Sequence, residues 1–370
     1  MGAGGTGASA GTGAGGTGTG GRGGAAGSAT AGTGGTTGTA GAGGANCTTP
    51  PDPGTLVGWA ANGSGTSGGG SATPQPVSTL AALNAAAAGS SPAVIYVTGV
   101  LPNGTVTIGS NKTIVGLCGA ELHGHVDIVN STNVILRNIK VVGYGVGNCA
   151  LDPAYDPTVG CSSGADAISV ERSNHIWFDH DDISDGTDGN LDITLGSDFV
   201  TVSWTKFHYT ARTDNMGNDS TGAAGHRYSN LIGGSDNSTG DVGKLNVTWH
   251  HNWWADRVME RQPRIRYGKN HLYNNLWASS GDNYCVRAGT NAQILLENNA
   301  FIGVKTPQEF NNTADMGTSY ITATNNVYTG VSGTQATGGG GTPFTSPGYS
   351  YTLDTGSNVQ ALVQLSAGPR

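Results

Sequence analysis

The chain has 370 residues, a formal net charge of −8 and only 11% charged residues. An acidic chain of low charge density has no general attraction for nucleic acid, and no apolar run is long enough to span a membrane. Few charges with abundant Gly, Asn, Thr and Ser favour an all-β extracellular protein over a cytosolic enzyme. We therefore expect a secreted protein whose partners are neither nucleic acids nor membranes.

The N-terminal segment differs from the rest of the chain. The first 45 residues contain 21 Gly and one charged residue, Arg22. Such a segment cannot bury enough apolar surface to offset its chain entropy, so a flexible tether is predicted over residues 1–46. Residues 47–370 are enough for one large domain with a continuous core. No signal peptide is visible, and the Gly-rich start either follows a cleavage point or is the natural start.

The five cysteines show no metal-ligand spacing. Cys149 and Cys161 bracket a short polar loop, ALDPAYDPTVG, and are the best candidates for a disulfide. An odd number of cysteines leaves one thiol unpaired.

Seven segments of the chain can be aligned with one another. Each has a short β-branched run with alternating apolar residues, then a polar pair and another apolar residue, which is a strand pattern. They begin at Thr132, Ser173, Ser197, Lys244, Lys269, Asn291 and Ser319. Matching polar positions fall 25, 22, 23, 24 and 27 residues apart, at Thr205, Asn230, Asn252, Asn275, Asn299 and Asn326.

Regular periods of this length, with strands and no helical pattern, indicate a solenoid. We predict an all-β fold, a right-handed single-stranded parallel β-helix with rungs of about 22–27 residues and an Asn ladder. A β-propeller needs about 40 or more residues per blade, which this spacing does not support. The Ala-rich stretch Leu80–Ala88 is predicted to be a helix that caps the N-terminal end of the coil.

Three acidic residues, Asp166, Asp188 and Asp192, fall at the edges of neighbouring predicted rungs. Rungs are about 4.8 Å apart, so acids from adjacent turns can converge on one ion. Several carboxylate oxygens favour Ca²⁺ over softer metals. The alternative is that Asp188 and Gly189 simply make a turn.

Five cations lie within the thirteen residues from Arg257 to Lys269, which is unusual in an acidic chain. This run indicates a local anion site. The pair His250–His251 and the DHDDISD segment cannot chelate a metal from one side, because neighbouring strand residues point to opposite faces. We expect these residues, and the nearby Trp249, Trp253 and Trp254, to be structural, although an exposed Trp could also contact a sugar.

Several motifs occur together and in one order. They are NHIWFDH (174–180), DGNLDI (188–193), SDFVTVSWTKFH (197–208), VTWHHN (247–252), RQPRIRYG (261–268) and NHLYNNLW (270–277). In this combination, residues 56–368 resemble the pectate lyases of polysaccharide lyase family 1. The resemblance implies a calcium-dependent enzyme that cleaves α-1,4-polygalacturonate by β-elimination to 4,5-unsaturated products.

The resemblance also implies roles for single residues. Asp166, Asp188 and Asp192 match the calcium ligands, Arg261 matches the catalytic base and Arg266 matches the arginine that holds the substrate carboxylate. Arg264, beside them, would also bind substrate. Crowding by Ca²⁺, Arg264 and Arg266 would lower the pKa of Arg261 and give an alkaline optimum.

Two positions depart from the family pattern. Gly164 stands where many members have a further Asp ligand, and Tyr228 stands where many have a substrate-binding Lys. Arg227 or Arg212 could supply the missing cation.

These features imply polygalacturonate or pectin as the partner and a monomeric enzyme. Two alternatives remain open, a lyase that prefers methyl-esterified pectin and a non-catalytic carbohydrate-binding β-helix.

Overall fold

The computed structural model describes residues 49–145, 149–158, 164–210 and 226–370. The predicted tether, residues 1–46, lies outside this part and stays a prediction. The described chain forms one sheet of 23 strands in which the strands pair in parallel from turn to turn. The predicted parallel β-helix is confirmed.

Three stacks of strands run along the solenoid, and three further strands, two of them long, start it. The starting strands are β1 (Pro74–Val77), β2 (Ala93–Thr107) and β3 (Lys112–Val129). The first stack is β6 (Ile168–Glu171), β9 (Leu191–Thr194), β12 (Leu231–Ile232), β15 (Arg264–Ile265), β18 (Val286–Ala288) and β21 (Gln308–Phe310). The second stack is β4 (Thr132–Arg137), β7 (Asn174–Asp179), β10 (Asp198–Ser203), β13 (Val247–His250), β16 (Lys269–Tyr273), β19 (Gln293–Glu297) and β22 (Tyr320–Thr324). The third stack is β5 (Lys140–Val142), β8 (Asp182–Ser184), β11 (Lys206–His208), β14 (Trp253–Trp254), β17 (Leu276–Trp277), β20 (Ala300–Ile302) and β23 (Val327–Thr329).

Helices cover parts of this solenoid. Helix α1 (Leu80–Ala87) begins where the Thr79 hydroxyl accepts a hydrogen bond from the Ala82 N–H, and it buries Leu83 in the main core. Helix α2 spans Thr313–Thr318. Helix α3 (Gly356–Ser366) places Val359 and Val363 against the third stack.

Side chains of one type stack inside the coil, as expected when residues one rung apart share a position. The rings of Trp254, Trp277 and Phe301 stack with centroids 4.6 Å and 4.3 Å apart. Trp249 and Trp254 are fully buried, whereas Trp253 is half-buried with the Lys206 ammonium 5.0 Å from its ring centre. The predicted packing role therefore fits Trp249 and Trp254.

An Asn ladder runs between the second and third stacks. The Asn252 Oδ1 accepts from the Thr205 N–H at 2.9 Å, and Asn275, Asn299 and Asn326 continue the pattern at the same distance. Asn230 is not a member, because it lies beside β12 and bonds the Leu191 carbonyl and the Trp254 indole. The steps of 25 and 22 residues through Asn230 were therefore wrong, since β10 pairs directly with β13 across a longer turn.

Asp181 extends the same ladder toward the N-terminus with a carboxyl group in place of an amide. Its Oδ1 accepts from the Ile139 N–H at 3.2 Å, whereas its Oδ2 is buried without a hydrogen-bond partner. Burial raises the pKa of Asp181 well above its usual value. A neutral side chain is therefore favoured at this rung.

Cys118 takes part in a disulfide, and so does Cys149. Cys285 is a free buried thiol. Cys161 lies outside the described residues, so its predicted pairing with Cys149 stays a prediction. The free thiol agrees with the odd number of cysteines.

Candidate active site

The three predicted acidic residues come together on the outer face of the first stack. Asp192 is on β9, Asp188 is in the turn before it, and Asp166 precedes β6 on the neighbouring rung. One carboxylate oxygen from each lies within 4.8 Å of the others. We call these three residues the acidic cluster.

Burial and mutual repulsion disfavour the charges of this cluster. The pKa of Asp166 is raised well above its usual value by burial and by the charges of Asp192 and Asp188. Burial raises the pKa of Asp192 to about 7, against the charge of Arg261. Burial would also raise the pKa of Asp188, but hydrogen bonding to His226 and the charge of Arg261 keep it below its usual value. The cluster therefore has a deficit of positive charge that a cation would offset.

The shape of the cluster fits a cation with oxygen ligands. The Asp166 Oδ1 is buried without a hydrogen-bond partner. A Cβ at Gly189 would lie 2.9 Å from this oxygen and 3.1 Å from the Asp192 Oδ1, so any larger residue would crowd the ligand atoms. Three converging carboxylates suit Ca²⁺, which takes its remaining ligands from water or substrate.

Gly164 has no room for the Asp side chain that the family resemblance leads us to expect there. A Cβ at this position would lie 2.5 Å from the Asp152 Oδ2 and 2.4 Å from the Thr187 Cγ2. That Asp152 oxygen accepts hydrogen bonds from the Ala165 N–H and the Thr187 hydroxyl at 2.7 and 2.9 Å. The departure at Gly164 is thus linked to local packing by Asp152.

Arg261 lies beside the cluster, and its Nη1 is 3.5 Å from the Asp188 Oδ1. Its backbone has φ of 55°, a left-handed conformation that costs energy for a non-glycine residue and is common at functional sites. Burial alone would lower the pKa of Arg261, but the charges of Asp188, Asp192 and Asp166 outweigh it and raise the pKa. The lowered pKa of Arg261 that the sequence led us to expect is therefore not found while the three carboxylates are not neutralised by a cation.

Two further side chains, from the segment before β12, hold this arrangement. The His226 Nε2 makes a short hydrogen bond to the Asp188 Oδ1, and the His226 ring packs 4.0 Å from Tyr228. The Arg261 guanidinium lies 4.5 Å from the centre of the Tyr228 ring, within cation–π range. Sequence reasoning gave His226 no role, although it lies only two residues from the family's Lys position.

Arginines follow the cluster along the first stack. Arg264 on β15 has a pKa lowered by burial and by the charge of Arg266, and its Nη2 donates to the Asn311 Oδ1 at 3.3 Å. Arg266 forms a short ion pair with Asp236, and its Nη1 donates to the Gly233 carbonyl at 2.9 Å. Arg287 lies one rung beyond Arg264 and pairs with Glu309 at 2.6 Å. Its spacing of 23 residues from Arg264, one rung, was the signal that sequence analysis missed.

Other predicted cations lie elsewhere. Arg227 is 1% exposed and its Nε donates to the Arg257 carbonyl at 2.7 Å, so it is turned inward. Arg212 lies outside the described residues. Lys269, on β16, lines a different pocket from the acidic cluster. The cationic run from Arg257 to Lys269 is therefore divided among several places and does not form one site.

Comparisons with known proteins agree with this geometry. A family model described as pectate lyase matches residues 22–369. Pectate lyase A of Aspergillus niger is 34% identical over 323 residues, which cover 84% of this chain and 86% of that protein. Pectate lyase E of Dickeya chrysanthemi is 33% identical over 291 residues, with 66% and 67% covered.

Solved structures share the fold. A thermostable pectate lyase is 25% identical with a TM-score of 0.61, covering 84% of this chain and 96% of that one. A pectate lyase from Bacillus sp. N165, solved with trigalacturonate, has a TM-score of 0.66 at 22% identity, covering 85% and 99%. The family resemblance of the sequence motifs is confirmed. The chain belongs to the pectate lyase family of polysaccharide lyases.

Proposed function

We propose that this pectate lyase is calcium-dependent and cleaves de-esterified α-1,4-polygalacturonate by β-elimination, with Arg261 as the base. The observation that carries the proposal is the contact of the Arg261 guanidinium with a cluster of three converging carboxylates, whose charge this one arginine does not balance. No other His, Cys, Asp and Glu group among the described residues has this convergence.

Asp166, Asp188 and Asp192 would hold the ion. Bound Ca²⁺ would attract the C6 carboxylate of a galacturonate unit and withdraw charge from it, which makes the C5 proton more acidic. His226 and Arg261 keep Asp188 in the ionised form that such binding requires.

Arg261 can act as a base only after it loses a proton. The pKa of Arg261 is raised by the three carboxylates and opposed by burial. When the carboxylates are neutralised, burial remains and favours the uncharged guanidine. The base would thus become available together with an occupied cluster, and more readily at alkaline pH.

The reaction then needs one proton transfer and one bond cleavage. The uncharged Arg261 nitrogen would take the C5 proton and the C4–O bond would break. The departing oxygen would take up a proton from solvent, and Arg261 would release the C5 proton to solvent before the next turnover. The products are a C4–C5 double bond on one fragment and a new chain end on the other, without consumption of water. Tyr228 and Asp188 would position the guanidinium through the contacts described above.

Arg266 is proposed to bind the substrate carboxylate, with Arg264 as a neighbouring cation. Arg266 already pairs with Asp236, whose side chain is 48% exposed. A substrate carboxylate would have to displace Asp236 or share the guanidinium with it. Arg227, turned inward, is the weakest of the proposed substrate contacts.

Secretion and action as a monomer are also proposed. Among the described residues, no helix is long and apolar enough to cross a membrane. The acidic cluster, Arg261, Arg264 and Arg266 all come from one chain, so a single copy is sufficient for the site.

The test is the absorbance of unsaturated product on polygalacturonate. We expect product with added Ca²⁺, its loss with a chelator, and recovery when excess Ca²⁺ is restored. Activity that a chelator leaves unchanged would contradict the calcium requirement, and no unsaturated product under any condition would contradict lyase chemistry.

A further inference from the structure

A second pocket lies at the turns between the first and second stacks, and none of the residues assigned to the reaction lines it. Its volume is about 780 Å³, within the range of small-molecule sites. Its lining residues include the aromatic residues Trp59, Phe199 and Tyr267 and the polar residues Asn246, Lys269 and Gln293. We call this the turn pocket.

The turn pocket is elongated along the solenoid axis. Lys269 pairs in register with Gln293, and Asn246 and Phe199 lie on the two preceding rungs, next to the paired residues Val247 and Val200. Three rung steps from Phe199 to Gln293 correspond to about 14 Å. This row can accommodate several units of an extended chain.

The charge of the turn pocket differs from that of the whole protein. Lys269 is exposed, and the described residues that line the pocket include no carboxylate, although the chain has a net charge of −8. A pocket with one cation and no acid on an acidic protein favours an anionic ligand.

The aromatic wall favours a sugar. Phe199 is half-buried, with the His175 ring at a centroid distance of 5.0 Å and the buried Trp59 ring at 6.3 Å, which leaves part of its surface exposed. An exposed ring face can pack against the C–H groups of a pyranose through dispersion. Gln293 and Asn291 offer amide donors and acceptors for hydroxyl groups at the same wall.

Phe199 is held in an unfavourable conformation. Its φ is 52°, in the left-handed region that bulky residues rarely adopt. The same position holds His175 and Asn133 on the two preceding rungs, with φ of 55° and 61°. The turn therefore sets this conformation, and Phe199 is assigned a role by its place in the pocket lining.

The neighbouring wall is rigid. The Asp198 Oδ1 accepts from both the backbone N–H and the Nδ2 of Asn246, at 2.9 and 2.8 Å. The Asn246 Oδ1 in turn accepts from the Lys269 N–H at 3.2 Å. These bonds hold the backbone of Lys269 in place. Lys269 carries the only charge among the described residues that line the pocket.

We propose that the turn pocket is a second, non-catalytic binding site for an acidic sugar chain, with Phe199 stacking on a sugar ring and Lys269 binding a carboxylate. It would tether the polysaccharide while the acidic cluster acts on another segment. Binding at the turn pocket does not depend on the reaction or on calcium, whereas the tethering role rests on the proposed function.

The test is calorimetric titration of the full chain with trigalacturonate that carries no C4–C5 double bond, in the presence of a chelator. Without a metal, the charge of the acidic cluster repels this anionic ligand from the proposed catalytic site. A neutral glucose trisaccharide is the ligand control. Phe199→Asn and Lys269→Gln are the site variants, and Arg266→Ala is the matched variant of the proposed catalytic groove.

We expect the wild type and Arg266→Ala to bind the acidic trimer equally, and both turn-pocket variants to bind at least tenfold more weakly with unchanged melting temperatures. The proposal is overturned if the wild type shows no binding in chelator, if the site variants bind as the wild type does, or if the neutral trimer binds equally well. With Ca²⁺ present, both site variants should keep wild-type kcat/KM on the trimer and show a raised KM on long chains. An equal loss on trimer and polymer would also contradict a tethering role.

Discussion

Asp188 connects the proposed metal site, the proposed base Arg261 and the loop that carries His226. It contributes to the acidic cluster, lies 3.5 Å from the Arg261 Nη1 and accepts a short hydrogen bond from His226. Asp188→Asn keeps the size of the side chain but removes its charge. We expect the calcium concentration for half-maximal activity to rise while the fold remains intact.

The magnitude follows from the contacts that the charge makes. An interaction with an ionised group is worth about 1.5–3 kcal/mol. At about 1.4 kcal/mol per factor of ten, this corresponds to roughly tenfold to a hundredfold in affinity. The loss of calcium affinity should lie in the lower part of this range, because removing the charge of Asp188 also removes its repulsion of Asp166. We therefore expect the calcium requirement to rise by about tenfold or somewhat more.

The assay is a calcium titration of product formation, together with direct calcium binding by calorimetry. Asp182→Asn is the matched control, since it makes the same change on β8, where Asp182 pairs with His208 at 2.7 Å. The control should titrate like the wild type. A wild-type calcium requirement in Asp188→Asn would remove this residue from the metal site and refute the reasoning.

Three further predictions concern the base, the ladder and the tether. Arg261→Lys and Arg261→Ala should abolish turnover and leave calcium binding measurable; retention of a tenth of wild-type kcat, a barrier change of only about 1.4 kcal/mol, would exclude loss of the base. Asp181→Asn should stabilise the fold. Burial raises the pKa of Asp181, so the folded protein keeps this carboxyl protonated above about pH 4, where the carboxyl of the unfolded chain ionises. The free energy of unfolding of the wild type therefore falls as pH rises above about 4. The gap in thermal midpoint should widen with pH and correspond to about 1–3 kcal/mol; a constant or reversed gap would contradict a neutral Asp181. Deletion of residues 1–45 should change neither activity nor melting temperature, and a large drop in midpoint would show that this segment docks on the domain.

The sequence was sufficient to predict the architecture because the ladder repeats locally. Asn252, Asn275, Asn299 and Asn326 each carry the same short pattern and occupy the same position on successive rungs. Asn230 carries a similar pattern but belongs to a long turn, so local similarity gave a false rung. A period alone cannot distinguish a ladder position from a residue that bonds across such a turn.

The convergence of Asp166 and Asp192 was predictable for the same reason, since β6, which Asp166 precedes, pairs with β9, which carries Asp192. The contacts of His226 with Asp188 and of Asp236 with Arg266 were not predictable, because each depends on the path of a loop. Lys269 was grouped with the arginines of the predicted anion site because it is near Arg266 in sequence. The turn after Tyr267 places it on another face of the solenoid.

The most direct test of the central claim compares substrates that differ only in charge at C6. We expect kcat/KM at fixed Ca²⁺ to be highest on de-esterified chains and to fall by orders of magnitude as methyl-esterification rises, because the ester removes the charge that Arg266 and the metal recognise; two charge-assisted contacts are worth roughly 3–6 kcal/mol together. The half-buried Tyr228 ring already packs against Arg261 and His226, which limits the surface that it offers to a neutral ester. Highest activity on heavily methylated pectin, with no effect of a chelator, would contradict the calcium-dependent account and favour a pectin lyase.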